Sequence, residues 1–298
     1  MSIIFITQKS QKFGVGHYVR SNLVKSQIKI KSYFILNNKL LYNKKEYNLE
    51  KITNLKLKKI FEEIKLKIIY LDIHILNNLH KRILNLVRSK NIKIIFYDYY
   101  DPIVKNANVA FYTPSFYTIK TKFYPKNTFA GWQYLLLNKD KKIYEVKKKF
   151  DVLISFGGSD PNRLTEFVLK FFLKSKLNIK VCCLIGYLNK RKKEIKEIST
   201  KSDGMIKFFE PKKKIDKFIN ESKFAIISIG LTSYETIFFN IPSLFIPIKK
   251  IDIKLAQYFE SIKLGIASPY YKDLNYLTLK DKFKKLIKKN KKIFHKKK

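Results

Sequence analysis

The stretch "IIFITQKSQKFGVGHYVRS", Ile3 to Ser21, decides how the chain is read. It opens on a β-branched apolar run, crosses a polar loop to Gly14-Val15-Gly16, and continues from His17 with helix-compatible spacing. Strand, glycine turn and helix together begin a βαβ unit. Glycines at such a turn permit positive φ and let backbone N–H groups approach an anion closely. The helix N-terminus adds a partial positive charge, which favours phosphate and tends to keep a nearby imidazole neutral. A neutral histidine in a cleft takes a proton from water or a hydroxyl, so His17 is the candidate catalytic group. The same residues also suit a plain turn that closes a strand onto a helix.

Outward from there, apolar β-rich runs alternate with helical patterns. "IIFIT" (3–7), "IKSYFIL" (30–36), "KIIYLDI" (67–73) and "IKIIFYD" (92–98) read as buried strands, with helix-length segments such as "NNLHKRILNLVRSK" among them. A second series runs through "DVLISFGG" (151–158), "IKVCCLIG" (179–186), "MIKFFE" (205–210), "FAIISIG" (224–230) and "PSLFIPI" (242–248). Strands alternating with helices predict an α/β fold with parallel sheets and right-handed crossovers. Two such series predict two α/β domains, residues 1–138 and 151–270. A charged join at 139–150 separates them, and a basic helix or tail follows at 271–298. Ligands of such folds bind at the carboxyl ends of the strands, here in the inter-domain cleft.

Two further turns carry chemistry. In "LISFGGSDPNRLT", Gly157, Gly158 and Ser159 offer backbone and hydroxyl donors to a diphosphate, and Pro161 suits the first turn of a helix. Ser and Asp there also read as ordinary helix caps. In "ISIGLTSYETIFFNIPSLFIPI", Gly230, Leu231 and Thr232 open a helix, with Glu235 about one turn in. A carboxylate at that point accepts hydrogen bonds from a ribose diol, or simply complements the helix dipole.

Composition limits the alternatives. The 298 residues are 46% hydrophobic and 15% aromatic, which excludes a disordered chain. Cys182 and Cys183 are adjacent in a strand pattern and point to opposite faces, so neither a bridge nor a metal site is expected. No secretory leader opens the chain, and a reducing, cytoplasmic setting is expected. Sixty-three Lys and Arg against 23 Asp and Glu leave a net charge of +40. Such charge attracts nucleic acid or anionic membranes. It is spread over the whole chain and dominated by lysine, which fits compositional drift in an A+T-rich genome, and no nucleic-acid partner is expected. The exception is the terminal "KDKFKKLIKKNKKIFHKKK", where Phe283, Leu286 and Ile287 share one helical face among lysines. That face either docks on the protein's own body or rests weakly on an anionic membrane surface.

Taken together, "GVGHYVR" after the first strand, "GWQYLLL" (131–137), "SFGGSDPN" (155–162) and "GLTSYETIFFNIPSLFIPI" (230–248) resemble a known family. It is that of UDP-2,4-diacetamido-2,4,6-trideoxy-β-L-altropyranose hydrolase of pseudaminic acid biosynthesis, with polysaccharide-biosynthesis relatives. The resemblance spans roughly residues 1–268 in order and spacing. It implies a GT-B architecture and a UDP-sugar substrate, with neither metal nor cofactor. His17 would act at the anomeric carbon as base or as orienter of water. Gly157, Gly158, Ser159, Gly230, Leu231, Thr232 and Glu235 would hold UDP, with Gly14, Gly16, Arg20, Asp72 and His74 completing the substrate contacts. Arg20, one turn beyond His17, meets either phosphate or a local carboxylate.

Three positions depart from the family pattern, and two of them, the tyrosine and Asn-Gln positions, lie near the sugar. "YLDIHIL" (70–76) keeps Asp72 and places His74 where the family has tyrosine, a position that also suits a partly buried strand end. "YLLLN" ends in Asn138 instead of arginine. The Asn-Gln pair expected after "FIPI" is replaced by "KKIDIKLAQYFESIKLG", in which Asp252 or Gln257 stands in for it. Hydrolysis of a UDP-sugar is the leading expectation. Transfer to a glycan or lipid-linked acceptor is the alternative.

Overall fold

The computed structural model describes residues 1–298 apart from 11–13, 89, 120–123, 139–142, 144–145, 176, 212–214 and 291–298. Much of the expected join at 139–150 and the end of the expected tail lie outside the described residues. The chain divides into two compact units, one of Met1–Lys9 with Val15–Asn138, the other of Ser10–Gly14 with Lys139–Lys298.

The first unit runs β1 (Ser2–Thr7), α1 (Gly16–Gln27), β2 (Lys31–Leu36), β3 (Lys39–Tyr42), β4 (Lys45–Asn48), α2 (Asn54–Glu63) and β5 (Leu66–Asp72). It continues with α3 (Asn78–Arg88), β6 (Lys93–Tyr97), β7 (Val109–Tyr112) and β8 (Thr128–Ala130). Its eight strands lie in the order β4-β3-β2-β1-β5-β6-β7-β8. β1 is buried along its whole length, as a parallel strand covered on both faces must be, which is why it reads as a continuous apolar run. Ile4 and Ile6 enter the core beneath α2 and α3. Ile3 and Phe5 face the other way, with Tyr70 and Tyr97.

The sheet is parallel from β2 to β8, as the sequence pattern predicts, and a further hairpin edge is added: β3 pairs antiparallel with β2 and with β4. Asn37-Asn38 and Asn43-Lys44 connect these strands as two-residue loops with positive φ at every position, at 50°, 68°, 48° and 61°. Paired positive φ is the type I′ turn, whose twist matches a hairpin and which asparagine tolerates.

The second unit runs β9 (Phe150–Ser155), α4 (Leu164–Ser175), β10 (Val181–Leu184), α5 (Lys192–Thr200), β11 (Ile206–Phe209), α6 (Asp216–Asn220) and β12 (Ser222–Ser228). Then come α7 (Leu231–Phe238), β13 (Ser243–Ile246), α8 (Lys250–Ser261), β14 (Gly265–Ala267) and α9 (Tyr276–Lys289). Its six strands are all parallel, in the order β11-β10-β9-β12-β13-β14. Cys182 and Cys183 are both buried free thiols, and burial raises the pKa of each. The helix expected in the basic tail is α9. Leu279, Phe283 and Leu286 of its apolar face are buried in the core of this unit and Ile287 packs against it, so that face docks on the protein's own body.

Each sheet has one point where the strand order reverses. In the first unit β1 leads to β2 on one side and to β5 on the other; in the second β9 leads to β10 on one side while β12 lies on the other. In open α/β sheets such a switch point leaves a crevice outside the carboxyl ends of the two strands.

Candidate active site

The β1–β5 switch point brings α1 over the end of β5. Thr7 and Asp72 are register partners at the last positions of the two strands. Asp72 has no exposed surface, and both its oxygens are occupied. His17 Nδ1 lies 2.6 Å from Oδ1, Arg20 Nη2 donates to Oδ1 at 2.6 Å, and Arg20 Nε donates to Oδ2 at 2.8 Å. The guanidinium thus grips the carboxylate as a two-pronged fork, the geometry that distinguishes arginine from lysine. Burial alone would raise the Asp72 pKa. The charge and hydrogen bonds of Arg20, with His17, outweigh it and hold Asp72 below its ordinary value. Burial likewise opposes the charge on Arg20, and Asp72 outweighs it, so the guanidinium pKa is raised.

This network assigns the histidine tautomer. An ionised carboxylate only accepts hydrogen bonds, so His17 Nδ1 must carry the proton. The Arg20 Nη2 that lies 3.0 Å from Nδ1 is then a second donor on the same oxygen, not a partner of the ring. The Nε2 lone pair is left as the basic site on a ring that keeps 18% of its surface exposed. A buried carboxylate that orients an imidazole through Nδ1–H makes a base of Nε2.

Neighbouring residues hold this arrangement from below and from the side. The Arg20 guanidinium lies over the Tyr97 ring at 5.2 Å. Tyr97 donates its hydroxyl to the Tyr134 carbonyl at 2.8 Å and accepts from the Leu136 N–H at 3.2 Å. The motif "GWQYLLL" is thereby tied to the base of the site. Gln8, next after β1, accepts from the N–H groups of His74 and Ile75 at 2.9 and 3.3 Å and donates to the Ile75 carbonyl at 2.9 Å. This clamp sets His74 beside His17, with ring centroids 6.1 Å apart and planes 14° from parallel. Gln8 and Tyr97 were not singled out in the sequence; a polar residue closing a buried strand was the available signal for Gln8.

Gly14 has φ +70° and pairs with Ser10 through two backbone hydrogen bonds of 2.8 and 3.1 Å. α1 begins at Gly16, and its N-cap residue Val15 gives it no side-chain cap. A Cβ built at Gly14, Gly16, Gly157 or Gly230 would meet nothing within 4 Å, so open space adjoins all four.

At the β9–β12 switch point stand the two other glycine turns, side by side at the ends of adjacent strands. After β9, Gly157 has φ +80° and Ser159 is buried. Gly158 presses against the β10–α5 loop: its carbonyl accepts from the Leu188 N–H at 3.0 Å, and a Cβ on Gly186 would sit 2.3 Å from that oxygen. One expectation is corrected here. Pro161 does not lie in the first turn of a helix, because α4 starts only at Leu164. Asp160 reaches over the intervening turn and accepts from the N–H groups of Leu164 and Thr165 at 3.0 and 2.8 Å. Arg191 braces the turn through the Asp160 carbonyl and Glu166. The first two amides of α4, those of Leu164 and Thr165, are therefore already used.

After β12, Gly230 is exposed, Leu231 and Thr232 are half-buried, and Glu235 is buried on α7. Ser233 closes the turn by donating to the Gly230 carbonyl at 2.7 Å. After β13, Asp252 is buried in the first turn of α8 and accepts from the Lys249 N–H at 3.0 Å, while Gln257 is exposed farther along the helix. Burial pushes the Asp252 pKa up to about 6, against the opposing charge of Lys249.

No family model matches the chain. It is similar to an uncharacterized protein of Methanocaldococcus jannaschii, at 27% identity over 275 residues, covering 81% of this chain and 54% of that relative. The chain thus spans about half the length of that relative. Among solved structures it is similar to Acinetobacter baumannii MurG, with 12% identity, 96% of this chain and 91% of that one covered, and a TM-score of 0.62. A spinosyn rhamnosyltransferase complexed with thymidine diphosphate gives 9% identity, 97% and 92% coverage and a TM-score of 0.64. The UDP-GlcNAc 2-epimerase of Methanocaldococcus jannaschii gives 11% identity, 96% and 93% coverage and a TM-score of 0.56. At these identities the likeness is one of fold. The chain has the α/β fold of GT-B enzymes, with two Rossmann-like units.

Proposed function

We propose that this protein cleaves the bond between the anomeric carbon of a sugar and the diphosphate of UDP, with His17 as the base. The observation that carries this reading is the 2.6 Å contact of His17 Nδ1 with buried, ionised Asp72 at the β1–β5 switch point. Nε2 takes a proton from the nucleophile as its oxygen bonds to the anomeric carbon. The carbon–oxygen bond to the diphosphate breaks, and UDP leaves with the electron pair. Asp72 stabilises the imidazolium that forms, and Arg20 keeps Asp72 ionised. Asp72 and Arg20 act in this reading through His17, although the sequence grouped them with the substrate contacts. His74 flanks the reacting sugar. Gly157, Gly158, Ser159, Gly230, Leu231 and Thr232 hold the diphosphate, and Glu235 the ribose.

Water is the proposed nucleophile, so the products are UDP and a free deoxy-amino sugar for surface-glycan synthesis, as the sequence resemblance implies. Likeness to an epimerase named for UDP-GlcNAc and to a transferase complexed with thymidine diphosphate supports a nucleoside-diphosphate sugar. That transferase also favours a second reading, in which a glycan or lipid-linked hydroxyl replaces water. Mass spectrometry of products from a panel of UDP-sugars, with and without acceptor, separates the two. Free sugar and UDP without acceptor establish hydrolysis, and turnover only with acceptor establishes transfer. Absence of both with every donor overturns the proposal.

A further inference from the structure

The second unit has a cavity of about 680 Å³ in the region of α4 and α9, inside the range of about 300–1,000 Å³ usual for small-molecule sites. It is separate from the glycine turns, which follow β9 and β12, for its wall includes Ile179, ahead of β10. Buried Phe171, Ile179 and Phe283 form its apolar lining. Two large apolar side chains line it while exposed to solvent, Leu277 at 68% and Leu177 at 39%. Lysines complete the wall: Lys280 and Lys284 follow Leu277 at helical spacings of three and seven along one flank of α9, and Lys174 comes from α4. Lys174 lies over the Tyr276 ring at 5.3 Å. Among the described residues neither Lys280 nor Lys284 makes an ion pair, whereas Lys285, one position from Lys284, is held by Glu260 at 2.8 Å.

An apolar hollow bordered by unpaired ammonium groups complements one kind of ligand, an aliphatic chain that ends in an anion. The exposed leucines beside it favour a bilayer as its source, since a leucine left in water gains by entering the interface. Among the described residues no helix is long and apolar enough to cross a membrane, so α9 would meet a bilayer from its surface. We propose that this cavity docks the protein on anionic phospholipid membranes, taking an acyl chain against Phe171 and Phe283 while Lys174, Lys280 and Lys284 meet the headgroup phosphates.

The test is sedimentation of the full chain with vesicles of mixed phosphatidylglycerol and phosphatidylcholine at physiological salt. Three variants are compared with the unaltered protein, each checked for folding by circular dichroism. Leu177→Ser with Leu277→Ser removes apolar contact without changing charge. Lys280→Gln with Lys284→Gln removes two cavity charges. Lys58→Gln with Lys59→Gln removes two exposed charges from α2, in the other unit. The expected results are a loss of about tenfold or more for the leucine pair, from the transfer value of a leucine side chain, and about fivefold per cavity lysine. The α2 pair should stay within about twofold. Equal loss from both lysine pairs would reduce the effect to the general attraction of a +40 chain and overturn the proposal. Unchanged binding by the leucine pair would do the same. So would a dimer in size-exclusion chromatography that the leucine pair dissociates, since a second copy would then fill the cavity.

Discussion

His17 Nδ1 lies 2.6 Å from Oδ1 of Asp72, a carboxylate with no solvent exposure, although 55 residues separate the two in the chain. The pair fixes both the tautomer and the direction of the imidazole. Asp72→Asn keeps the shape and removes the charge, and its amide nitrogen can turn toward Nδ1 and favour the opposite tautomer. The expected loss in kcat is about 10²–10⁴-fold with little change in UDP affinity. Steady-state release of UDP checks it, and wild-type turnover would end the assignment.

His17→Ala tests the base itself. UDP binding, read by calorimetry, should remain within a few-fold of wild type while turnover falls by about 10²–10⁴. A mutant that releases UDP at the wild-type rate would remove His17 from the chemistry.

Arg20 and Asp72 are also a stability unit. Asp72→Ala leaves the guanidinium buried without its counter-ion, and the expected cost is about 3–5 kcal/mol in chemical denaturation. Arg20→Lys keeps the charge but loses the fork, so a smaller loss of stability with a clear loss of kcat is expected.

Gly158 and Gly186 test the β9 turn. Gly186→Ala would force a Cβ to within 2.3 Å of the Gly158 backbone oxygen, so the turn must move. Destabilisation of about 1–3 kcal/mol is expected, with UDP affinity reduced several-fold. Gly204→Ala is the control, with φ +78° and open space around it. It should cost about 1 kcal/mol and leave UDP affinity alone. Unaltered UDP binding by Gly186→Ala would argue against this turn as the diphosphate site.

Asp252 predicts a pH dependence. Its pKa is about 6 when folded, raised by burial from an ordinary 3.8. Between those values the folded chain holds the proton more tightly, so this residue's contribution is fully present below about pH 4 and is lost as pH rises through about 6. Asp252→Asn removes that loss and can keep the cap on Lys249 N–H. Thermal melts should show it stabilised at pH 7.5, by at most about 3 kcal/mol at 1.36 kcal/mol per pH unit, and near neutral at pH 4. Equal effects at both pH values would contradict the linkage.

Much of the fold is legible in the sequence. β2, β6, β10, β11 and β13 fall within the apolar runs quoted for them, β1, β5, β9 and β12 overlap theirs but begin one or two residues earlier, and α1 begins at Gly16, as the glycine turn suggests. β3 and β4 were missed because Leu40 and Leu41 fall in a short, lysine-rich stretch, although Asn37-Asn38 and Asn43-Lys44 carried the signal of tight hairpin turns. Pro161 was misplaced because a side-chain cap reaching four and five residues ahead from Asp160 looks, in sequence, like an ordinary turn. His17 was visible as a candidate. Its dependence on Asp72, the Gln8 clamp on His74, and the bond of Tyr97 to "GWQYLLL" were not, for each joins residues at least 37 positions apart.

By itself the sequence determined where the chain extends, where it coils into helices and where glycine lets it turn, because the periods of 2 and 3.6 and the freedom of φ belong to a few neighbouring residues. It also determined that the residues after β1, β9 and β12 would be rich in donors. Only the tertiary structure decided that β5 lies against β1, that Asp72 is buried there, and that a histidine and an arginine one turn apart reach the same carboxylate. Strand order is a matter of which apolar faces cover one another across the whole unit. An ionised carboxylate is tolerated in such a place only where partners from elsewhere in the chain satisfy it.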